Sequence, residues 1–468
     1  MERMFLSKLT ISGPGKKDAC LSFKKGLNVI TGDSDTGKTY AFQCIDYMLG
    51  KDNQPKNIVE AQGYTLITLE LYIGNKKYIL QRNIGENKIK VLFENKELYL
   101  SCKHNANNDN NLSKFLINKL LGKTDNIIIN SKKGENRTLS FRDIVHLCLV
   151  SETDIIAESS AFQSIQYVEK TARCSVLKYV ITQEDDSKTT QESNRKNEII
   201  SRQGVVLYLK NKKNEIEQSI QKIKEDTRFK LLTEDCSLQS AIQSIQSYRE
   251  SISNLNGILD KKQEELALFN DSMAKMRELD EMRYNLESLN KQLQSIITNI
   301  EEYSKNDNIK KENLSIAINK EKYDNYCSVI LKTLTDWGFP SISELHFDAK
   351  TLDLSINSKS RKTLGKGYRA FIMAAMTISL MRYCINNEYM HPGFVIIDSP
   401  LVSLKERKIT NASEYIDSYM EQKMIENIVK TDTQNQVIIF ENKDLKFNLE
   451  YNYVEFYHDS DIKGFIPQ

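Results

Sequence analysis

The 468-residue sequence has little proline, little glycine and almost no excess of either charge. Its 6 Pro and 18 Gly are too few for an all-β protein, whose many tight turns use both residues. Their scarcity favours long, solvated helices added to ordinary α/β cores. Lys and Arg total 65 against 63 Asp and Glu, a formal net charge of +2. This balance excludes a chain that is basic throughout and leaves only local basic patches for contact with nucleic acid.

The sequence also lacks the patterns of a disulfide framework, a zinc site and a membrane span. Its 8 Cys never form a CxxC pair and its 5 His are scattered, so reduced thiols are expected. The longest nearly apolar run, residues 371–381, is too short to cross a bilayer. The opening Met1-Glu2-Arg3 carries no apolar signal core. Together these features predict a cytoplasmic protein with no membrane partner.

Composition divides the chain into three predicted segments. Residues 1–186 and 326–468 carry apolar runs typical of strands in mixed α/β domains, whereas residues 187–325 contain no proline and are dense in Gln, Glu, Lys, Ser and Asn. The pattern predicts strands at 4–11, 27–31, 65–73, 77–82, 88–93, 352–356, 394–397 and 436–440, and helices at 40–49, 369–386 and 413–430. The strands at 394–397 and 436–440 are continuously apolar, as expected in a sheet covered on both faces.

The middle segment has a heptad pattern. Apolar side chains recur there with spacings that alternate between three and four, at Leu279, Met282, Leu286, Leu289, Leu293, Ile296, Ile300 and Tyr303. Such a seam, sustained over several heptads, predicts a coiled coil. A weaker pattern over residues 199–223 supplies a partner helix, and a tip near residues 226–237 would make an antiparallel hairpin. A compact helical bundle is the alternative interpretation of this segment.

A phosphate-binding motif follows the strand predicted at 27–31. The eight residues Gly32, Asp33, Ser34, Asp35, Thr36, Gly37, Lys38 and Thr39 fit GxxxxGK[ST], and Tyr40 opens the helix that follows. In this motif successive backbone N–H groups surround a phosphate at the positive end of a helix. Lys38 neutralises phosphate oxygens and the Thr39 hydroxyl ligates Mg²⁺. The strand–loop–helix context therefore predicts a site for ATP and Mg²⁺.

A second acidic residue for the metal is predicted at the end of another strand. Phe394-Val395-Ile396-Ile397 leads directly into Asp398, at the carboxyl edge where a phosphate-binding loop also lies. The alternative is that Asp398 only caps the next turn, which contains Ser399 and Pro400. Because the loop motif is present, metal binding by Thr39 and Asp398 is the favoured interpretation.

The order of P-loop, long helical segment and second acidic residue resembles the SMC- and RecN-like branch of the ABC ATPases. The residues that carry this resemblance are 27–39, 45–50 and the turn Leu364-Gly365-Lys366-Gly367-Tyr368 before a long helix. The resemblance implies an α/β P-loop NTPase head of ABC type, formed from the N- and C-terminal segments, with an inserted antiparallel coiled-coil arm. It also implies a homodimer in which each ATP lies between the P-loop of one chain and Gly365, Lys366 and Gly367 of the other.

Several positions depart from the family pattern. The usual Ser of the signature is Gly365, with Lys366 or Arg369 as possible substitutes for its hydroxyl, and Ser399 stands where the family has its catalytic Glu. Glu441 is then the first candidate for the general base and Glu152, at the position of the family's Gln, the second. Lys405 occupies a further usually acidic position, and a lone Cys236 excludes a zinc hook. These departures predict an ATPase of low rate.

The resemblance further implies contact with DNA and a role in DNA repair or phage defence. Local support comes from short basic runs at 16–17, 24–25, 132–133 with Arg137, and 359–362 with Arg361, which can follow phosphates without reading sequence. No further catalytic domain is evident, so a nuclease or toxin effector is expected in a separate chain. An alternative function is an ATP-binding sensor or scaffold that hydrolyses little and holds such a partner. A P-loop kinase or GTPase is disfavoured by the predicted helical insertion.

Overall fold

The computed structural model describes most of the two ends of the chain. The described residues are 2–103, 110–121, 126–132, 135–163, 170–187, 308–401, 418–457 and 462–467, with short helical stretches between 211 and 225 and between 270 and 291. The chain separates into two compact units, one made of residues 1–190 and 312–468 and the other of residues 191–311. The first unit contains every strand described below.

The helices and strands follow one another as mixed α/β structure. The strands are β1 Met4–Ser12, β2 Ala19–Ser22, β3 Gly26–Gly32, β4 Leu66–Ile73, β5 Lys76–Asn83, β6 Lys88–Phe93, β7 Lys96–Ser101, β8 Ile128–Lys132, β9 Glu135–Thr138, β10 Leu149–Val150, β11 Leu345–Asp348, β12 Asp353–Ile356, β13 Lys359–Ser360, β14 Phe394–Asp398, β15 Gln436–Glu441, β16 Asn452–Phe456, β17 Ile462–Lys463 and β18 Ile466–Pro467. The helices are α1 Lys38–Met48, α2 Leu112–Leu121, α3 Phe141–Val145, α4 Glu152–Ile155, α5 Lys170–Thr182, α6 Asn308–Asp336, α7 Lys366–Asn386 and α8 Ser418–Thr431.

A six-stranded antiparallel sheet takes up much of the N-terminal segment, in the order β2-β1-β4-β5-β6-β7. Its strands alternate buried and partly exposed residues, as β4 shows along its whole length. This alternation is expected where one face of a sheet packs on the core and the other faces solvent. The strands predicted at 4–11, 65–73, 77–82 and 88–93 all belong to this sheet.

The second large sheet is parallel and is assembled from both ends of the chain. Its order is β10-β14-β15-β3-β16, and every neighbouring pair in it is parallel. Strands β14 and β15 are buried at every residue, and α1, α7 and α8 pack against the sheet. The N-terminal segment contributes β3 and β10, and the C-terminal segment contributes the other three strands. The α/β head formed from both ends of the chain is therefore present, as the sequence predicts.

The predicted coiled coil falls mainly on residues outside the described ranges. In the helical stretch from 273 to 288, Leu279 is buried and Met282 and Leu286 are half-buried. The upstream helix is described only in fragments, and the predicted tip at 226–237, Cys236 and Lys405 lie outside the described residues. The arm therefore stays a prediction. Within the described part of the chain, no helix is both long and apolar enough to cross a membrane.

Candidate functional site

The GxxxxGK[ST] loop connects β3 to α1, as its motif predicts. Gly32 has φ of +148° and Gly37 of +88°, and Asp35 between them has φ of +63°. Gly37 is the N-cap residue of α1 and has no side chain that could accept a hydrogen bond. No side chain at this position therefore caps the first N–H groups of the helix. Glycine adopts these left-handed conformations without a steric penalty. The loop therefore turns tightly over the N-terminus of α1.

Lys38 lies inside this loop. Its Nζ donates hydrogen bonds to the carbonyl oxygens of Gly32, at 2.7 Å, and Asp33, at 2.6 Å, and to Thr36 Oγ1 at 3.1 Å. Burial lowers the pKa of Lys38, while the nearby carboxylates of Asp398 and Glu441 act in the opposite direction. The ammonium group is thus held where a phosphate entering the loop would meet it.

Thr39 and Asp398 come together at the carboxyl edge of the parallel sheet. In the register of the sheet, Asp398 pairs with Phe440 and the next residue of β15, Glu441, pairs with Thr31 of β3. The Thr39 hydroxyl donates to Asp398 Oδ2 at 3.3 Å. Burial raises the pKa of Asp398 to about 6, and the charge of Glu152 adds to the increase. A buried carboxylate with a raised pKa is a group that a cation stabilises in its charged form.

Ser399 supports Asp398 through a hydrogen bond. Its backbone has φ of +61°, its side chain is buried, and its Oγ donates to Asp398 Oδ1 at 3.1 Å. Its N–H donates to the carbonyl oxygen of Phe440 at 2.7 Å. Together with Thr39, Ser399 therefore fixes both oxygens of the Asp398 carboxylate.

Glu441 is fully buried beside this pair. Its Oε2 accepts the N–H of Leu401 at 2.9 Å, and its Oε1 accepts the N–H of Asn442 at 2.8 Å. Burial raises the pKa of Glu441 to about 7, against the effect of these two backbone hydrogen bonds. Glu441 thus ties the end of β15 to the turn that follows Asp398.

A cavity of about 480 Å³ opens over the loop. Its walls include Glu152 and Asn442 as well as residues that sequence reasoning did not single out as site residues; the full lining is Ser34, Asp35, Thr36, Gly37, Lys38, Thr39, Tyr40, Gln43, Lys56, Ile58, Glu60, Glu152 and Asn442. Gln43 lies four residues after Thr39, on the same face of α1, which a helical projection would have indicated. Its Oε1 accepts the backbone N–H of Lys56 at 2.9 Å, a contact with no signal in the sequence. Of the two candidate bases, Glu152 lines this cavity and Glu441 does not.

The predicted signature residues lie at the N-terminus of α7. Gly365 and Lys366 are exposed and Gly367 is half-buried, and a side chain at Gly365 would meet nothing within 4 Å. They do not line the cavity over the P-loop of their own chain. Arg369 is engaged within the chain, because its Nε donates to the carbonyl oxygen of Ile156 and its Nη1 to that of Leu364, both at 2.9 Å.

Arg361 does not belong to an exposed basic surface, and that part of the predicted basic patches is wrong. Arg361 is fully buried and its Nε lies 2.7 Å from Asp353 Oδ1. Arg137 is half-buried and paired with a carboxylate, since it donates to both oxygens of Asp143, each at 2.7 Å. Basic residues read as surface in the sequence are here partners of buried carboxylates. Within the predicted basic runs, the lysines that are described and exposed are Lys16, Lys17, Lys24, Lys25, Lys359 and Lys362.

Comparison with known proteins gives one short sequence match and similar solved structures, three of which are described below. No protein-family model matches the chain. The DNA repair protein RecN of Aquifex aeolicus (strain VF5) is 33% identical over 73 residues, which is 15% of this chain and 12% of that protein. The chain thus matches only about an eighth of the length of this relative. The predicted resemblance to RecN-like ATPases is confirmed over these 73 residues.

The similar solved structures include two Smc head domains and a RecF–ATP structure. The Smc head domain of Pyrococcus furiosus, with an extended coiled coil and bound to the C-terminal domain of ScpA, aligns with a TM-score of 0.44 and 12% identity over 94% of this chain and 90% of that one. A second SmcHead, bound to the C-winged helix domain of ScpA, aligns with a TM-score of 0.43 and 10% identity, again over 94% of this chain and 90% of that one. The recombination mediator protein RecF with ATP aligns with a TM-score of 0.37 and 11% identity, over 99% of this chain and 96% of that one.

Proposed function

We propose that this chain is an SMC-like ABC ATPase that binds ATP and Mg²⁺ between two heads and uses their engagement and release to gate a DNA or protein partner. The observation that carries the proposal is the hydrogen bond between Thr39 of the P-loop and Asp398 at the end of β14. It brings together a phosphate-binding loop and a carboxylate from opposite ends of the chain. These are the two parts that a nucleotide–metal site of this class requires.

The residues present fit a nucleotide and its metal ion. Mg²⁺ takes one or two protein oxygens together with phosphate oxygens and water, and the Thr39 hydroxyl and Asp398 carboxylate are two such ligands. Among the described residues there is no group of three or more His, Cys, Asp or Glu that would hold a metal without phosphate. In the proposal, ATP contacts residues 32–40 of its own chain, and the Lys38 ammonium transfers its hydrogen bonds from loop carbonyl oxygens to phosphate oxygens.

Hydrolysis requires a group that orients the attacking water, and Glu152 is the better placed of the two candidates. Glu152 begins α4, lines the cavity and is close enough to raise the pKa of Asp398. Glu441 instead accepts two backbone N–H groups. A base must reach its water directly or through one further water. We therefore assign the weak general-base role to Glu152, with Ser399 and Glu441 positioning Asp398 and the turn after it.

The second half of each site comes, in this proposal, from another copy of the chain. Gly365, Lys366 and Gly367 do not line the P-loop cavity of their own chain and stand at the N-terminus of a long helix, where anions are favoured. Two heads related by a twofold axis would place this helix end on the phosphate of the partner. Residues 187–325 then form the coiled-coil arm that transmits head engagement to DNA, and the exposed lysines contribute phosphate contacts.

The RecN match supports DNA repair as the setting, and phage defence is the alternative setting. The effector, a nuclease or toxin, is expected as a separate chain, and the cytoplasm as the compartment. A second candidate function is a sensor or scaffold that binds ATP, hydrolyses it negligibly and holds such an effector. The observation that favours it is Ser399, which stands in place of the family's Glu and is buried against Asp398.

The testing experiment measures binding of a fluorescent ATP analogue, with and without Mg²⁺, and turnover of ATP. Wild type should bind with Mg²⁺, and Lys38→Ala should not, because removal of the ammonium leaves phosphate charge uncompensated. Lys88→Ala, an exposed lysine in β6 of the antiparallel sheet, is the matched control and should bind as wild type does. Undiminished binding by Lys38→Ala would disprove the site. Turnover of many ATP per minute would favour the gating ATPase over the scaffold.

A further inference from the structure

The short hairpin of β17 and β18 packs directly on the P-loop. The backbone N–H of Phe465, in the turn of this hairpin, donates to the carbonyl oxygen of Thr36 at 2.8 Å. The Phe465 ring stacks on the ring of Phe456 with centroids 6.0 Å apart, and Phe456 ends β16 beside Gly32 of β3. Phe465 and Ile466 are both buried. Residues more than 400 positions apart in sequence therefore share one packed contact.

Gly464 makes this contact possible. Its φ is +63°, and a Cβ built on it would lie only 1.9 Å from the carbonyl oxygen of Thr36. Its N–H donates to the carbonyl oxygen of Tyr457 at 2.9 Å. A larger residue therefore has two defects at once, since it strains the backbone and collides with a backbone atom of the P-loop.

The hydrogen bond from Phe465 to the carbonyl oxygen of Thr36 fixes the orientation of the peptide group between Thr36 and Gly37. In a planar trans peptide the C=O and the following N–H point in opposite directions. When the Thr36 carbonyl points to Phe465, the N–H of Gly37 points away from the hairpin, and Gly37 lines the cavity that the proposal assigns to phosphate. The Thr36 side chain is fixed as well, since its Oγ1 donates to the carbonyl oxygen of Asp33 at 2.8 Å and accepts from Lys38.

We propose that the β17–β18 hairpin is a positioning element of the P-loop, which holds the Thr36–Gly37 peptide so that its N–H faces the phosphate of the nucleotide. This inference rests on the nucleotide binding proposed above. It assigns control over nucleotide affinity to Gly464 and Phe465, which carry no motif and do not line the cavity themselves.

The test is a single methyl group at Gly464. Gly464→Ala should weaken binding of the fluorescent ATP analogue by about tenfold or more, because a hydrogen bond to a charged phosphate is lost. Gly15→Ala is the matched control, since Gly15 has φ of +71° and nothing within 4 Å of an added Cβ. Both alanines carry backbone strain, but only the first contacts the P-loop. Affinities are measured well below the unfolding temperature of each nucleotide-free variant, so that loss of fold is recorded separately.

Phe465→Ala provides the second test and decides the matter if Gly464→Ala does not fold. It keeps the backbone N–H and removes the stacking on Phe456, so affinity should fall several-fold while the nucleotide-free protein remains folded. Wild-type affinity in the folded variants would overturn the inference even though Lys38→Ala still abolishes binding. Failure of the wild-type protein to bind the nucleotide would overturn the proposed function, and the hairpin's role with it.

Discussion

Thr39 and Asp398, 359 positions apart in the chain, are joined by a hydrogen bond of 3.3 Å between a hydroxyl and a carboxylate oxygen. Each belongs to a different end of the sequence, and the parallel sheet brings them together because β15 lies between β14 and β3. Both atoms are oxygen ligands that Mg²⁺ accepts. This contact makes the metal requirement of the site testable one side chain at a time.

The first prediction concerns Asp398. Asp398→Asn should leave the fold intact and abolish the Mg²⁺ dependence of nucleotide binding, because the neutral amide no longer attracts the cation. Nucleotide affinity measured across a Mg²⁺ titration checks this. If the variant responds to Mg²⁺ as wild type does and hydrolyses at the same rate, the metal is held by another acidic residue.

The second prediction concerns the missing catalytic carboxylate. Ser399→Glu should raise ATP turnover, since a positioned base contributes about 10²–10⁴-fold. Ser399→Gln is the control of equal size, and it shares the strain of the positive φ at this position without adding a base. Steady-state rates of the two variants, compared with wild type, give the answer. Equal ATP turnover by the Ser399→Glu and Ser399→Gln variants would mean that another group already acts as the general base. Glu152→Gln would then be the variant to measure.

The third prediction concerns the composite site. Lys38→Ala spoils the P-loop half, and Gly367→Arg fills the space proposed for the partner's phosphate, so each homodimer should be inactive. A mixed dimer has one site with both defects and one with neither. Subunit exchange between the two inactive proteins should therefore restore part of the ATPase activity of the wild type. If heterodimers form but show no ATPase activity, the signature acts on the ATP bound to its own chain and the prediction is contradicted.

The fourth prediction uses the raised pKa of Glu441, about 7 against an ordinary value of 4.5. The folded state holds this proton more tightly than the unfolded state does, so the contribution to stability is complete below about pH 4.5 and is lost as pH rises through 7. Glu441→Gln removes that dependence. It also costs about 1–3 kcal/mol at every pH, because an amide N–H₂ then faces a backbone N–H.

The measurement for Glu441 is the free energy of unfolding by denaturant at pH 5 and pH 8. The difference in free energy of unfolding between wild type and Glu441→Gln should be smaller at pH 8 than at pH 5 by roughly 2 kcal/mol. A gap that stays constant would mean that Glu441 titrates normally in the folded protein.

The fifth prediction separates two adjacent basic residues. Arg361→Met should lower the free energy of unfolding by about 3–5 kcal/mol, because it leaves the buried Asp353 carboxylate without its partner. Lys362→Met, the same substitution at an exposed neighbour, should change stability by less than about 0.5 kcal/mol. It should instead weaken duplex DNA binding at low salt. Equal stability losses would contradict the structural role assigned to Arg361.

The parts of the fold with strong local patterns could be predicted from the sequence. The strands β3, β14 and β15 each contain a run of apolar residues, and the P-loop has a fixed spacing, so the sequence predicts the positions of both to within a few residues. Asp398 was identified as part of the site because a parallel sheet collects its polar residues at one edge. Local chemistry was sufficient in each case.

The rest depends on contacts that no local pattern encodes. Arg361 has the sequence surroundings of a surface residue, next to Lys359 and Lys362, and only the folded chain shows Asp353 against it. Lys56 lines the cavity, and its backbone N–H is held by a hydrogen bond to Gln43 Oε1. Gly464 looks like an ordinary turn glycine. Its significance comes from its closeness to Thr36, because the pairing of β16 with β3 ends beside the P-loop.

The two arginines that hold the end of α4 have a mechanical consequence. Arg361 Nη1 donates to the carbonyl oxygen of Ala157 at 3.2 Å, and Arg369 Nε donates to that of Ile156, so the residues just after α4 are anchored to the start of α7. Glu152 at the other end of this short helix lines the cavity. Under the proposed function, a nucleotide that displaces Glu152 would therefore also move the start of α7, where Gly365 and Lys366 are exposed.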